Sequence, residues 1–292
     1  MPWQIIVIAL ILVTSTATIL EKFTLKKEHA LQYLTLLSLL IFIFALPLLF
    51  LGKINFAIEP ILWVLIILPA VSTSLAALFF AKSLRHLDVS QVVPMMNLST
   101  VITVIAAFII FAERITLAQA FGIILLICGA YALEAGNFNN LLNPIKIFVK
   151  NFSAGSHQFL FFSIIFYSVA FLLDKWLLMQ VPILTYFFIV IFYSAVFLLF
   201  LTFGFYGGLS DLKTGFAAGG RLILPIAVLF LFQALLWFKS ITLVPLALLT
   251  PTFRLHTLVS SLVGGTILRE KNLVWRIAVA ILMLLGAFLI LK

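Results

Sequence analysis

A chain of 292 residues that is 65% hydrophobic and only 9% charged, with a mean hydropathy of +1.31, is not a soluble domain. Soluble domains run near 45–50% apolar and about 25% charged. The net charge of +9 would point to nucleic acid in a soluble protein. Here the Lys and Arg residues fill short gaps between apolar runs, where they set topology and meet lipid headgroups, so a bilayer is the expected partner and nucleic acid is not.

In chain order, MPWQIIVIALILVTSTATIL lacks a basic leader and a small-residue cleavage site, and is expected to stay as a first helix. Apolar segments of spanning length follow at 31–51, 60–81, 89–111 and 117–134. An Asn-, Gly- and Pro-containing stretch closes this half. Its KIFVKNF piece reads as solvated loop or as a short amphipathic segment in the interface. Segments resume at 158–178, 183–206, 221–238, 244–267 and 274–291. The expected fold is all-α and integral to the membrane, with ten transmembrane helices arranged as five plus five. The halves are 1–134 and 158–292, with 135–157 as linker. Lys and Arg concentrate in loops after odd-numbered helices, which places both termini outside the cytoplasm.

The halves share sequence. KSLRHLDVSQVVPMMNLSTVITVIAAFIIFAER (82–114) aligns without gaps on KSITLVPLALLTPTFRLHTLVSSLVGGTILREK (239–271), an offset of 157 residues. Lys82-Ser83, Pro94, Thr100 and Glu113 meet Lys239-Ser240, Pro251, Thr257 and Glu270, and further on Gly129-Ala130 meets Gly286-Ala287. Such spacing indicates an internal duplication. A five-helix unit is odd, so the second copy enters the membrane inverted, a recurrent way to build a secondary transporter. The copies differ where it matters: Asn97 becomes Arg254, and Ser99 becomes His256.

These motifs resemble the EamA-like members of the drug/metabolite transporter superfamily. The likeness lies in the basic helix end (Lys82, Lys239), the internal Pro of the next helix (Pro94, Pro251), the acidic-basic turn (Glu113-Arg114, Glu270-Lys271) and the Gly-Ala helix close. Asp174-Lys175 with Pro182 matches the junction of the first two helices of that repeat. The chain departs from the pattern at Ala112 and Arg269, where a Gly is common. The resemblance implies a metabolite carrier, with export as its direction. It also implies cytoplasmic termini, against the charge distribution.

Arg254 is the first candidate for chemistry. It lies about 10 residues from the nearest end of its span, roughly 15 Å deep. There an Arg costs at least roughly 2.5 kcal/mol on insertion scales and faces protein, water or ligand. Either it binds a carboxylate or phosphate, or it is structural, paired with helix-end carbonyls or a carboxylate on another helix. His256 falls on a different helical face and reads as packing or as site. Gln91, Asn97 and Thr250 surround the two prolines, and Gln233 with Trp237 makes a polar-aromatic face one helix away. These are substrate-binding candidates against a reading as interhelical hydrogen bonds. Pro94 and Pro251 are hinge candidates against a static kink. Lys82 and Lys239 snorkel to headgroups, and Gly264-Gly265 permits close helix approach.

No acid lies at the middle of an expected helix, which disfavours cation export through a buried carboxylate. There is no Walker A pattern. The single Cys128 and the scattered His29, His86, His157 and His256 give no metal site, and no cofactor is expected. The sequence therefore reads as a secondary transporter, not an enzyme. It moves a small anionic or zwitterionic metabolite, such as an amino acid or organic acid, across the inner or plasma membrane by alternating access, as monomer or homodimer. The alternatives are a broad drug efflux carrier and a lipid-handling membrane enzyme using Arg254 and His256.

Overall fold

The protein is described from a computed structural model over residues 3–24, 30–51, 54–87, 89–135, 141–153, 155–205, 222–260 and 273–291. Its helices are α1 Trp3–Thr24, α2 Ala30–Ala45, α3 Leu48–Leu51, α4 Pro60–Leu65, α5 Ile67–His86, α6 Val89–Met95 and α7 Asn97–Ile110. They continue as α8 Leu117–Ala135, α9 Asn143–Lys150, α10 Gly155–Leu178, α11 Ile183–Phe205, α12 Ile223–Leu243, α13 Leu246–Phe253 and α14 Leu273–Leu291. Eight helical segments among the described residues are long and apolar enough to cross a membrane, and they coincide with the first eight expected spans. The ninth is represented by α13 and residues 255–260, the tenth by α14. The linker piece, read as solvated loop or as a short amphipathic segment, forms part of the helix α9, whose apolar residues recur at helical spacing on one side. Gly264-Gly265, Arg269 and Glu270-Lys271 lie outside the described residues.

The helices gather into two compact units, and each draws on both sides of the linker. The first comprises Met1–Leu78 and Val169–Leu243. In it α1 and α2 both pack on α12, and α2 also packs on α11. Tyr33, Leu37, Ile223, Ile226 and Ala227 form its α2–α12 core. Hydrocarbon cannot solvate polar groups, so hydroxyls pair internally. Thr35 and Thr202, both fully buried, sit 2.8 Å apart across α2 and α11. Asp174, which the sequence places at a helix junction, stands inside the last turns of α10, where it accepts hydrogen bonds from Tyr186 and Trp237. Its neighbour Lys175 donates to the Ile241 carbonyl at 2.9 Å.

The second unit comprises Phe79–Ser168 and Val244–Lys292. Its most extensive helix contact is α8 on α14, made close by Gly122 and Gly286. A Cβ on Gly122 would meet the Gly286 carbonyl oxygen at 2.6 Å, and one on Gly286 would meet the Gly122 oxygen at 2.8 Å. A second core joins Val92, Met95 and Met96 to Leu160 and Ile164, with Phe148 of α9 packed against it.

The acidic-basic turn between α7 and α8 has a role at long range. The Glu113 carboxylate accepts the backbone N–H groups of Leu246 at 2.7 Å and Ala247 at 2.8 Å. It caps the N-terminus of α13, where first-turn N–H groups lack partners in their own helix. Ala112 reaches this position at φ 48°, the left-handed region an L side chain adopts at a cost of roughly 1–2 kcal/mol. Ala112, where the pattern that the chain resembles commonly has Gly, is therefore strained. Ala112→Gly is expected to raise the unfolding free energy by about 0.5–1 kcal/mol, after the entropy glycine adds to the unfolded chain. Unfolding of the purified protein in detergent checks this.

Candidate functional site

The two aligned prolines lie beside two matching interruptions. α6, with Pro94 inside it, ends at Met95; Met96 makes a single turn at φ −63°, ψ −18°, and α7 begins at Asn97. α13, with Pro251 inside it, ends at Phe253; Arg254 makes the turn at φ −60°, ψ −14°, and helix resumes over 255–260. The turns stand two and three residues past their prolines. They bring together the polar groups that apolar helices otherwise keep apart.

Arg254 ties one interruption to the other within the second unit. Its Nε donates to Thr100 Oγ1 at 2.7 Å, and its Nη2 donates to the Met96 carbonyl at 3.0 Å and to Ser99 Oγ at 3.1 Å. Ser99 and Thr100 are buried on α7. One edge of the guanidinium is thus fully engaged, whereas Nη1 makes no hydrogen bond among the described residues. A guanidinium carries five N–H donors in a fixed plane, so holding one edge fixes where the other points.

Asn97 is 2% exposed at the start of α7. Its Nδ2 donates to Glu134 Oε2 at 2.6 Å and approaches the Pro94 carbonyl at 3.3 Å. A carboxylate only accepts, so this contact fixes which end of the amide faces it. Glu134, on the last turn of α8, lies within electrostatic reach of Arg254. Asn97 Oδ1 and Glu134 Oε1 are both sealed from solvent and have no hydrogen-bond partner among the described residues. The cluster therefore combines a partly committed cation with two buried acceptors that no described residue satisfies.

The other candidates distribute as follows. Thr250 is buried, and its hydroxyl donates at 3.0 Å to the Leu246 carbonyl of its own helix. His256 Nδ1 lies 2.7 Å from the Phe253 carbonyl and must carry a proton to donate there; the ring also packs on Phe253 at 4.5 Å. Gln233 and Trp237 belong to the first unit, where Gln233 Oε1 is buried and Trp237 packs on Phe171 at 4.7 Å. The Gln91 side chain lies outside the described residues. Lys82 sits over the Phe159 ring at 5.4 Å. Arg254 and Asn97 thus share one cluster, and Glu134, Ser99 and Thr100 join it although the sequence reading assigned them no site role. A signal for Glu134 exists at the repeat offset. Its counterpart is Leu291, so the first copy holds an acid where the second has none, just as the second holds the Arg.

Eight apolar helices of spanning length among the described residues define the class of the protein, a multi-pass membrane protein. Residues 1–134 match the model of the EamA-like transporter family, in keeping with the drug/metabolite transporter superfamily. Comparison with curated proteins returns no match. A crystal structure described only as that of a protein superposes with a TM-score of 0.74. The alignment spans 99% of this chain and 96% of the other at 12% identity, which shows a shared fold.

Proposed function

We propose that the chain is a secondary carrier that moves a small zwitterionic metabolite, an amino acid foremost, through the membrane by alternating access. One observation carries the reading: among the described residues, Arg254 Nη1 has no acceptor in the same cluster where Asn97 Oδ1 and Glu134 Oε1 have no donor. A carboxylate supplies acceptors for Nη1, and an ammonium supplies three donors for the two oxygens. A simple organic acid satisfies only the first requirement. Each orphaned buried acceptor costs roughly 1–3 kcal/mol, which a ligand ammonium would recover. The interruptions after Pro94 and Pro251 supply bends at which α6–α7 and α13 would hinge. The resemblance to EamA-like carriers supports export. The proposal assigns no chemical step to the chain.

The test is thermal stability of the purified protein against amino acids, their deaminated acids and their decarboxylated amines, since a ligand of the folded state raises apparent stability. Wild type is expected to respond most to the intact amino acid. In Glu134→Gln the amino acid should lose about tenfold to a hundredfold in affinity while the deaminated acid is little changed, the scale of one charged hydrogen bond. Equal stabilisation of both proteins by cationic dyes or apolar drugs alone would replace the proposal with a broad efflux carrier.

A further inference from the structure

The second unit holds a mainly apolar cavity of about 530 Å³, bordered on one side by Pro94 and Asn97. Its walls include Leu98 of α7, Cys128 of α8, Ile145 of α9 with Leu142 just before it, and Trp275 and Val279 of α14. The volume falls within the usual range of small-molecule sites, roughly 300–1,000 Å³. The polar groups at its edge point elsewhere. Tyr131 donates its hydroxyl to the Leu141 carbonyl at 2.6 Å, and Trp275 donates Nε1 to the Ala132 carbonyl at 3.1 Å. Asn97 borders the cavity too, with its Nδ2 held by Glu134, and the rest of the wall is hydrocarbon, which offers a charged group nothing.

α9 turns one side toward this cavity and another toward the unit's core. Pro144 is buried and Phe148 packs on the Val92–Met95–Met96 core, so this side of α9 faces the unit. One step around the helix, Ile145 and Val149 stay exposed at 43% and 68%, and Ile145 lines the cavity. One further step around stand the exposed Lys146 and Lys150, four residues apart and so on one face. An apolar strip beside a basic strip is the pattern of a helix lying in the membrane interface.

We propose that this cavity is a lipid site for one anionic phospholipid, with an acyl chain between α7, α8 and α14 and the phosphate at Lys146 and Lys150. Leu98, Leu142 and Ile145 line it yet remain 40%, 61% and 43% exposed, so a chain enters without unfolding any helix. The two lysines set the preference for an anionic headgroup, each contributing to attraction at an anionic surface. The site belongs to the packing of α9 on the second unit and shares Asn97 with the polar cluster.

Cys128, the only cysteine of the chain, lines the cavity and serves as its reporter. The full-length protein would be delipidated in detergent and given phosphatidylglycerol, phosphatidylcholine or inorganic phosphate. Bound lipid would be counted by native mass spectrometry and the rate of Cys128 modification by a small maleimide measured. The expected result is one phosphatidylglycerol per chain, bound about tenfold or more tighter than phosphatidylcholine, with modification of Cys128 slowed severalfold. Lys146→Gln with Lys150→Gln should erase the headgroup preference and leave protection by either lipid. Ala278→Phe, or Leu98→Phe should the first variant misfold, should abolish both binding and protection. Protection by amino acids but not lipids would overturn the assignment and make the cavity part of the substrate path. Binding of phosphate without protection, or no effect of any lipid on Cys128, would overturn it as well.

Discussion

Arg254→Ala is expected to lower stability by about 3–5 kcal/mol and to abolish substrate binding. The stability figure is that of breaking a buried charged network by removing one partner. Three acceptors lose a donor at once, Thr100 Oγ1, the Met96 carbonyl and Ser99 Oγ, although the Met96 carbonyl keeps its bonds from Ser99. The Glu134 carboxylate also loses the cation that acts on it. The two effects separate in a double-mutant cycle. Glu134→Gln removes the uncompensated charge, so Arg254→Ala combined with Glu134→Gln should be more stable than the sum of the single losses. Stability returns in the double variant and binding does not. Strict additivity, with a positive ligand response in Arg254→Ala, would reduce Arg254 to a strut between two helix breaks. Unfolding in detergent and ligand-induced stabilisation supply both readouts.

The second large effect is expected at the α8–α14 contact. Gly122→Val should cost about 3 kcal/mol or more, at or beyond the upper end of ordinary overpacking, because the group it meets is a carbonyl oxygen of the facing backbone rather than a side chain able to rotate away. Gly286→Val should behave alike, since its Cβ would meet the Gly122 oxygen. Gly204→Ala, with nothing within 4 Å of its Cβ, is the control and should be neutral or mildly stabilising. Equal tolerance at all three positions would mean that α8 and α14 do not approach as described. In hydrocarbon such contacts rest on close van der Waals packing, so small residues carry more of the association than they would in water.

These two predictions sit at opposite ends of what was legible in the sequence. Gly286 stood out because it recurs with Gly129 at the repeat offset, yet its actual partner is Gly122, which no periodicity marks. Helix positions were readable because spanning length and hydropathy are local properties of the chain. Arg254 was readable because a cation in hydrocarbon is too costly to be incidental. Its partners were not, since hydroxyls one turn apart in an apolar helix serve packing, self-capping and binding equally well. Glu134 looked like the last residue of an apolar span, and only the folded chain shows that α8 carries it inward to Asn97. Glu113 likewise read as a turn charge, whereas it caps a helix 133 residues further along. The grouping of helices into units was hidden for another reason. Each unit joins segments from both halves, and pairings across such distances leave no trace in composition.

The central claim is that the Arg254–Asn97–Glu134 cluster binds both ends of a zwitterion during transport. Counterflow in proteoliposomes tests it most directly: vesicles loaded with an unlabelled amino acid are offered the labelled amino acid, its methyl ester or its deaminated acid. The account predicts rapid exchange of the amino acid, little of either analogue, and none in Arg254→Lys, whose single ammonium cannot hold three acceptors and still present a free edge. Exchange of the ester or of a cationic dye as fast as the amino acid, undiminished in Arg254→Lys, would contradict it.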